Sequence, residues 1–441
     1  MVTPKKIELN QFRQRVSQPN SVGCETAAKA EFLADFRKSY QASAEFPSRT
    51  RPAGVLNAFK SLLQFEDTPM RMAKLFPAFS CLCIVMLIMM PAFAQDNKSG
   101  NDEVISVRTD LVDVPVAVTD AKGTPIKDLK AANFVVFEDG VKQTVTEFTS
   151  SNAPFEVALL LDTSGSARND LAMIRIAASS FINSLRPGDR VAIVGFDMAR
   201  TDAGSTPTID VLSPLTSDRR ALNTALSNLK TSAGTPYYDG MIEIADTVFG
   251  GPANAEFRGR RAVVALTDAV DSTSNSEFAE AREKLEAKGL IAYFVRLDTR
   301  DYFEENLLGD CEAAMRFSTA QIRRYYRTFK GNSTMEKASA FCQLGDFERL
   351  AVSKKLYQIA DAEMDDLAKR SGGRIFQTSG LADAKRAFQE VAAEIGTKFT
   401  LGYYPTNETR DGKYRKIRVE LKGLPAGSKV RAREGYTASK N

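Results

Sequence analysis

Histidine and tryptophan are both missing from the 441-residue chain. The lack of His excludes a Ser-His-Asp triad, a Cys-His dyad, imidazole-ligated zinc and any imidazole acid–base step. Catalysis, if any, would have to run on carboxylates, Lys, Tyr, Ser/Thr or a metal held by oxygen. Cysteine is scarce. Of the 5 present, Cys24, Cys81 and Cys83 fall early in the chain, and only Cys311 and Cys342 follow. An excess of one charge is also lacking over most of the chain. The net charge is +4, but residues 1–74 hold 12 Lys+Arg against 7 Asp+Glu, and from Gln95 onward 47 basic residues face 48 acidic ones. Without a basic footprint there is no support for a nucleic-acid partner.

Long apolar runs are absent except for one. Residues 75–94 read LFPAFSCLCIVMLIMMPAFA and carry no charge. A short basic stretch, Met70-Arg71-Met72-Ala73-Lys74, precedes them, and Ala92-Phe93-Ala94 is a small-x-small cleavage pattern. Residues 70–94 therefore read as a secretory signal peptide, with Gln95 as the expected mature N-terminus. Residues 1–69 then read as an extension upstream of a start at Met70 or Met72. The alternative keeps 75–94 as an uncleaved single-pass anchor, and only that reading brings a membrane contact. The expected location is outside the cytoplasm: periplasmic, cell-surface or extracellular. In such an oxidising compartment Cys311 and Cys342 most economically form one disulfide; two buried free thiols are the alternative.

The chain from Gln95 divides by pattern. Residues 95–152 show short alternating runs, Val114–Thr119, Phe134–Phe137 and Val145–Phe148, punctuated by Asp120-Ala121-Lys122-Gly123 and Glu138-Asp139-Gly140. They predict a small β-sandwich piece. From 153 to 398 nearly all-apolar runs alternate with amphipathic helical ones. The strands are expected at Phe155–Leu161, Arg190–Phe196, 208–212, Arg261–Thr267, Ile291–Leu297 and 374–377. Helices are expected at 171–185, 218–229, 237–249, 276–288, 356–370 and 381–396. Repeated βα units predict an α/β domain with a doubly wound, mostly parallel sheet. Residues 299–355 break the rhythm and read as an insertion on its rim. Residues 399–441 return to alternation. Two flanking β segments, each too small to fold alone, are expected to pair into one sandwich with the α/β domain inserted between them.

At the carboxyl end of the first α/β strand stands Asp162-Thr163-Ser164-Gly165-Ser166. Open α/β sheets bind ligands at this edge. One carboxylate and two hydroxyls on a turn suit a hard cation such as Mg²⁺ or Mn²⁺, and an oxygen set also admits Ca²⁺. Two further loops belong to the same edge. Gly234-Thr235-Pro236 offers the Thr235 hydroxyl, and Thr267-Asp268 ends another buried strand with a second carboxylate.

Together the Asp-x-Ser-x-Ser strand end, the Gly-Thr-Pro-x-Tyr-Asp loop and the Thr-Asp strand end resemble the von Willebrand factor type A domain over about 153–398. In that family three such loops form a metal-ion-dependent adhesion site. The resemblance assigns Asp162, Ser164, Ser166, Thr235 and Asp268 as ligands. It implies a partner protein whose Asp or Glu carboxylate completes the coordination. The flanking runs DLVDVPVAVTD, TLGYYP, DGKYRKI and RAREGY are similar to a bacterial secreted subfamily called VWFA-related. One departure stands out: Ala269 follows Asp268 where the family often has Gly.

Neighbouring residues have plainer readings. Asp239 caps or orients the helix after Thr235. Asp271 is solvated or supports the site, and Asp197, at a strand end near it, is assigned no role there. Arg323, Arg324 and Arg327, with Tyr325 and Tyr326, form a solvated helix face rather than an anion or partner patch. Tyr403 and Tyr404 are sheet residues. The function expected is an exported, metal-dependent protein-binding module, not an enzyme. The rival is a phosphatase-like hydrolase with Asp162 as nucleophile. Such enzymes resembling the haloacid-dehalogenase type need a second carboxylate two residues on, and Ser164 cannot serve as acid and base at neutral pH. A structural envelope protein with an empty site is the third reading.

Overall fold

The computed structural model describes residues 111–164, 171–201, 204–329 and 341–440. The expected signal peptide at 70–94, the residues before it and Ser166 lie outside this set.

Six strands form the central sheet. β5 (Glu156–Leu161), β8 (Arg261–Thr267) and β9 (Ile291–Arg296) lie at its middle and are buried almost without interruption. Strands covered on both faces must be apolar throughout, which is why these runs do not alternate. Their neighbours are β6 (Arg190–Thr201), β7 (Gly204–Thr216) and β10 (Arg374–Gln377). The order is β10-β9-β8-β5-β6-β7, parallel except for the antiparallel β6–β7 pair. One face packs α1 (Leu171–Ser184), α2 (Arg219–Ser227) and α8 (Leu381–Ile395) around Phe181 and Phe388, ring centroids 5.3 Å apart. The other face packs α3 (Tyr237–Glu243), α4 (Phe278–Ala287) and α7 (Asp346–Ser371). A π-turn, Ile244–Val248, extends α3.

Two expected boundaries move. The edge strand expected at 208–212 runs from Gly204 to Thr216. It pairs with β6 as a ribbon that outruns the sheet, Asp197 opposite Thr208, so its outer residues are polar. The helix expected from 356 begins at Asp346, so the insertion at 299–355 ends about ten residues earlier than its expected limit. The first turns of α7 turn Arg349 and Ser353 inward, and polar residues do not register as a buried face. Arg349 is buried because it donates to the carbonyls of Leu307 (3.0 Å) and Gly309 (3.1 Å) and lies over the Phe341 ring.

The insertion carries α5 (Arg300–Leu307) and α6 (Thr319–Phe329). Its small core joins Leu307, Phe317 and Phe341 to Val352 and Leu356 of α7. Cys311 and Cys342 are joined as a disulfide.

Two antiparallel sheets complete the fold, and both mix strands from the two ends of the described chain. β1 (Val112–Thr119) lies between β11 (Phe399–Tyr403) and β13 (Lys429–Ala432), and β4 (Val145–Thr149) closes that sheet. In the other, β2 (Phe134–Glu138) pairs with β12 (Tyr414–Leu421) and β3 (Val141–Gln143), and β14 (Gly435–Thr437) lies outermost. Val114 stands opposite Leu401 and Val136 opposite Val419. Phe134, Phe148 and Phe399 fill the space between the sheets. The fold is therefore an α/β domain with a mostly parallel sheet, flanked in sequence by the strands of a small β-sandwich.

Where the chain passes from sandwich to α/β domain and back, two guanidinium groups gather backbone carbonyls. Arg260 is fully buried and donates to Pro154 (3.0 Å), Ala153 (2.6 Å) and Lys398 (2.9 Å). Arg186 donates to Ser151, Ala153 and Gly396. One guanidinium offers five donors in a fixed fork, so it can hold two chain crossings together at once.

Candidate metal centre

The carboxyl ends of β5 and β8 form the floor. Asp162 donates its backbone N–H to the Leu266 carbonyl at 3.0 Å, which continues the ladder one residue past the strand. Its side chain is almost wholly buried. One carboxylate oxygen accepts from Ser164 N–H (3.0 Å) and the other from the Thr267 hydroxyl (2.8 Å). The same Thr267 oxygen accepts from Ala269 N–H at 2.8 Å, which fixes the turn that presents Asp268. That turn needs a left-handed residue, and Ala269 supplies it at φ 57°.

The second loop is tied to the third. Thr235 N–H donates to the Ser272 hydroxyl (2.7 Å), and Ser272 N–H returns to the Thr235 carbonyl (3.0 Å). A Cβ on Gly234 would come within 2.6 Å of the Thr273 side chain, which is why glycine precedes Thr235. Ser232 N–H donates to the Thr163 carbonyl at 3.1 Å and draws this loop against the first. Asp239 accepts from Asn275 N–H (2.9 Å) and Ser276 N–H (3.0 Å), so it holds α3 to the loop after Asp268, an orienting role.

Asp268 is held from two sides. One oxygen accepts from Val270 N–H at 2.9 Å and the other from the Thr299 hydroxyl. Thr299 in turn lies 2.8 Å from the Tyr357 hydroxyl. With its own proton on ionised Asp268, Thr299 accepts the proton of Tyr357. Burial, and then the charge of Asp162, push the Asp268 carboxyl up to about 7. Burial also raises Asp162, against the hydrogen bonds from Ser164 and Thr267. Among the described residues no Lys or Arg ion-pairs with either group; Arg296 lowers Asp268 only from a distance and pairs with Asp361. Buried carboxylates normally carry a cationic partner. Buried Asp162 and half-buried Asp268, with the Ser164 and Thr235 hydroxyls, are a hard-oxygen donor set that fits a divalent cation of the Mg²⁺ type.

Ser164, Thr235 and Asp268 line one cleft of about 220 Å³ together with Thr299, Tyr302, Phe303, Met315 and Tyr357. Several plain readings change. Asp271 is not solvated. It is buried, and it accepts from Tyr238 N–H, Ser274 and Arg324. Arg324 does not belong to a solvated face: its side chain is 11% exposed, pairs with Asp271 at 3.2 Å and lies over the Tyr238 ring. Arg327 does stay half in water, paired with Glu277. Asp197 pairs with Lys230 at 2.6 Å. Tyr403 is a sheet residue whose hydroxyl donates to Glu138 at 2.7 Å, and Tyr404 is exposed. Thr299 and Tyr357 escape sequence reasoning. The one available signal is that Thr299 follows β9, whose carboxyl end lies on the same sheet edge as those of β5 and β8.

A mostly parallel sheet with helices on both faces, and two strand-end loops interlocked with the α2–α3 loop that bears Thr235, define a doubly wound α/β domain with an oxygen-lined site. Residues 157–270, which contain all three loops, match the family model of the von Willebrand factor type A domain, and the chain carries such a domain there. Among solved structures, proximal thread matrix protein 1 from the mussel byssus is 12% identical, with 55% of this chain and 48% of that chain covered and a TM-score of 0.34. The chain thus spans about half the length of that protein. The conserved hypothetical protein BatB from Bacteroides thetaiotaomicron is 16% identical over 55% of this chain and 98% of that one, TM-score 0.33. A von Willebrand factor type A protein from Catenulispora acidiphila is 11% identical over 76% and 75%, TM-score 0.34. No curated protein matches the chain in sequence.

Proposed function

We propose that the chain is an exported, metal-dependent protein-binding module of the adhesion type. In this reading Asp162, Ser164, Ser166, Thr235 and Asp268 hold Mg²⁺, with Mn²⁺ or Ca²⁺ as alternatives, and a partner's Asp or Glu carboxylate completes the site. The observation that carries it is the pair of strand-end carboxylates, buried Asp162 and half-buried Asp268, with no Lys or Arg paired to either among the described residues. When bound, the ion supplies positive charge at the floor of the cleft, and that charge attracts an anionic side chain. The chain's own residues do the rest. Thr267 and Ser164 fix the Asp162 carboxylate, Thr299 and Val270 fix that of Asp268, and Ser272 fixes the Thr235 loop.

Von Willebrand factor type A domains generally mediate protein–protein contacts and are usually not enzymes. A hydrolase reading lacks the second carboxylate it requires, since Ser164 stands two residues after Asp162. The signal-like segment at 70–94 and the Cys311–Cys342 disulfide both support export. Capture from native envelope extract tests the reading. The wild-type chain in Mg²⁺ retains a partner that both a chelator and Asp162→Ala release. Retention that neither the chelator nor the substitution affects would contradict it.

A further inference from the structure

Resting on that reading, we propose that residues 299–329 turn the strand-end site into a two-part pocket for a projecting peptide segment. An acidic side chain of the partner enters at Asp162 and Asp268. The apolar side chain next to it lodges against Tyr302, Phe303 and Met315.

The shape of the cleft carries the first part of the argument. Its volume of about 220 Å³ lies below the ~300–1,000 Å³ of sites that enclose a drug-sized ligand. It has room for one or two side chains, not for a cofactor. Its lining residues are of two chemical kinds. Ser164, Thr235, Asp268 and Thr299 are oxygen donors, while Tyr302, Phe303, Met315 and Val270 present carbon. A bare carboxylate would use only the first kind. A cleft of this volume admits side chains and not a flat protein face, so the occupant has to be a loop or a chain end.

The wall is built to persist. Phe303 packs against Phe317 (6.0 Å between centroids) and against Tyr357 (6.3 Å). Phe317 packs edge-on to Phe341, and the disulfide Cys311–Cys342 closes the segment around them. Arg324 pins the same segment to Asp271, three residues beyond Asp268. Yet Tyr302 keeps 41% of its surface exposed, a large aromatic left open at the cleft mouth. Arg316 also lines the cleft, 53% exposed, and its carboxylate neighbour Glu312 is no closer than 3.9 Å. A rim cation beside a floor that carries a divalent ion complements an acidic segment, and the exposed aromatic complements an apolar neighbour.

The test is a random heptapeptide library displayed on phage and panned against the immobilised purified protein, in Mg²⁺ and in chelator. Mg²⁺-dependent clones are expected to carry Asp or Glu with Leu, Ile, Phe or Met within two positions. The expected enrichment is about fivefold or more over clones whose acid has Gly, Ser or Thr neighbours, since partial burial of one apolar side chain gives a preference of this order. In the double variant Tyr302→Ser, Met315→Ser the ratio falls toward one among clones that remain Mg²⁺-dependent. Tyr302→Ser alone gives the same readout if the double variant loses its cooperative melt. Acid selection without regard to neighbours, or an apolar preference untouched by the variants, overturns this inference and leaves the metal-dependent reading standing. If Mg²⁺ selects no acid at all, that reading fails, and this one with it.

Discussion

Arg324 donates to the Asp271 carboxylate at 3.2 Å and to the Asp271 carbonyl at 3.1 Å, and so joins the inserted segment to the loop that bears Asp268. Asp271 is 1% exposed, and burial raises its carboxyl while Arg324 works against that rise. Removal of the guanidinium would leave a buried carboxylate without its partner. Arg324→Met is therefore expected to cost roughly 3–5 kcal/mol of stability, as measured by urea unfolding. A loss below about 1 kcal/mol, the range of exposed surface pairs, would show that the pair contributes no more than they do.

Ala269 brings two opposing effects to one position. Its φ of 57° is left-handed, which costs an L-residue ~1–2 kcal/mol, and glycine there is free of that strain. Its methyl group is also buried, 1% exposed, and loss of it costs about 0.8 kcal/mol, on top of glycine's greater unfolded-state freedom. Ala269→Gly is expected to stay within about 1 kcal/mol of wild type. Ala269→Val adds bulk and a β-branch at positive φ, and should cost more than about 2 kcal/mol. Chemical denaturation of both variants checks the order, and an equal cost for the two would refute it.

Lys398 gives a pH dependence with a definite sign. It is fully buried, donates to the Gly372 carbonyl at 2.6 Å, and burial lowers its amine from 10.5 to about 7. Between those values the unfolded chain holds a proton that the folded chain has released, so stability rises with pH. Below about 7 both states are protonated and the folded form bears the cost of a buried charge. The stability difference between wild type and Lys398→Met should therefore move in favour of wild type as pH rises from 7 to 10. Its slope can approach about 1.4 kcal/mol per pH unit. A difference that stays flat across this window would contradict the assignment.

The disulfide joins residues with a sequence separation of 31 around a core of few side chains. Chain-entropy reasoning gives such a bridge about 3–4 kcal/mol. The variant Cys311→Ser, Cys342→Ser is expected to lose stability by that amount and to become open to limited proteolysis between Leu307 and Asp346. Digestion at an unchanged rate would mean that the hydrophobic cluster holds the segment unaided.

What could be read from the sequence was set by the range of the interactions. Arg261–Thr267 and 374–377 match their strands residue for residue, because an apolar run bounded by turn residues is a local signal. Asp268 was legible as a strand-end oxygen donor for the same reason, and Thr235 as a hydroxyl just before a helix, although its loop joins α2 to α3 and does not leave a strand. Thr299 was not, because its bond to Asp268 spans 31 residues, and neither was Arg324, whose bond to Asp271 spans 53. No periodicity encodes such pairings. The start of α7 escaped because a buried Arg349 satisfied by two carbonyls looks polar in sequence and behaves as core in the fold.

Isothermal titration of the purified protein with Mg²⁺, and with Mn²⁺ as a second probe, tests the central claim most directly. Wild type is expected to bind one equivalent and to melt at a higher temperature when loaded. Asp162→Ala and Asp268→Ala should each abolish both effects while retaining a cooperative melt in chelator. If wild type binds no divalent ion, or if either substitution leaves binding unchanged, the two carboxylates do not form a metal centre.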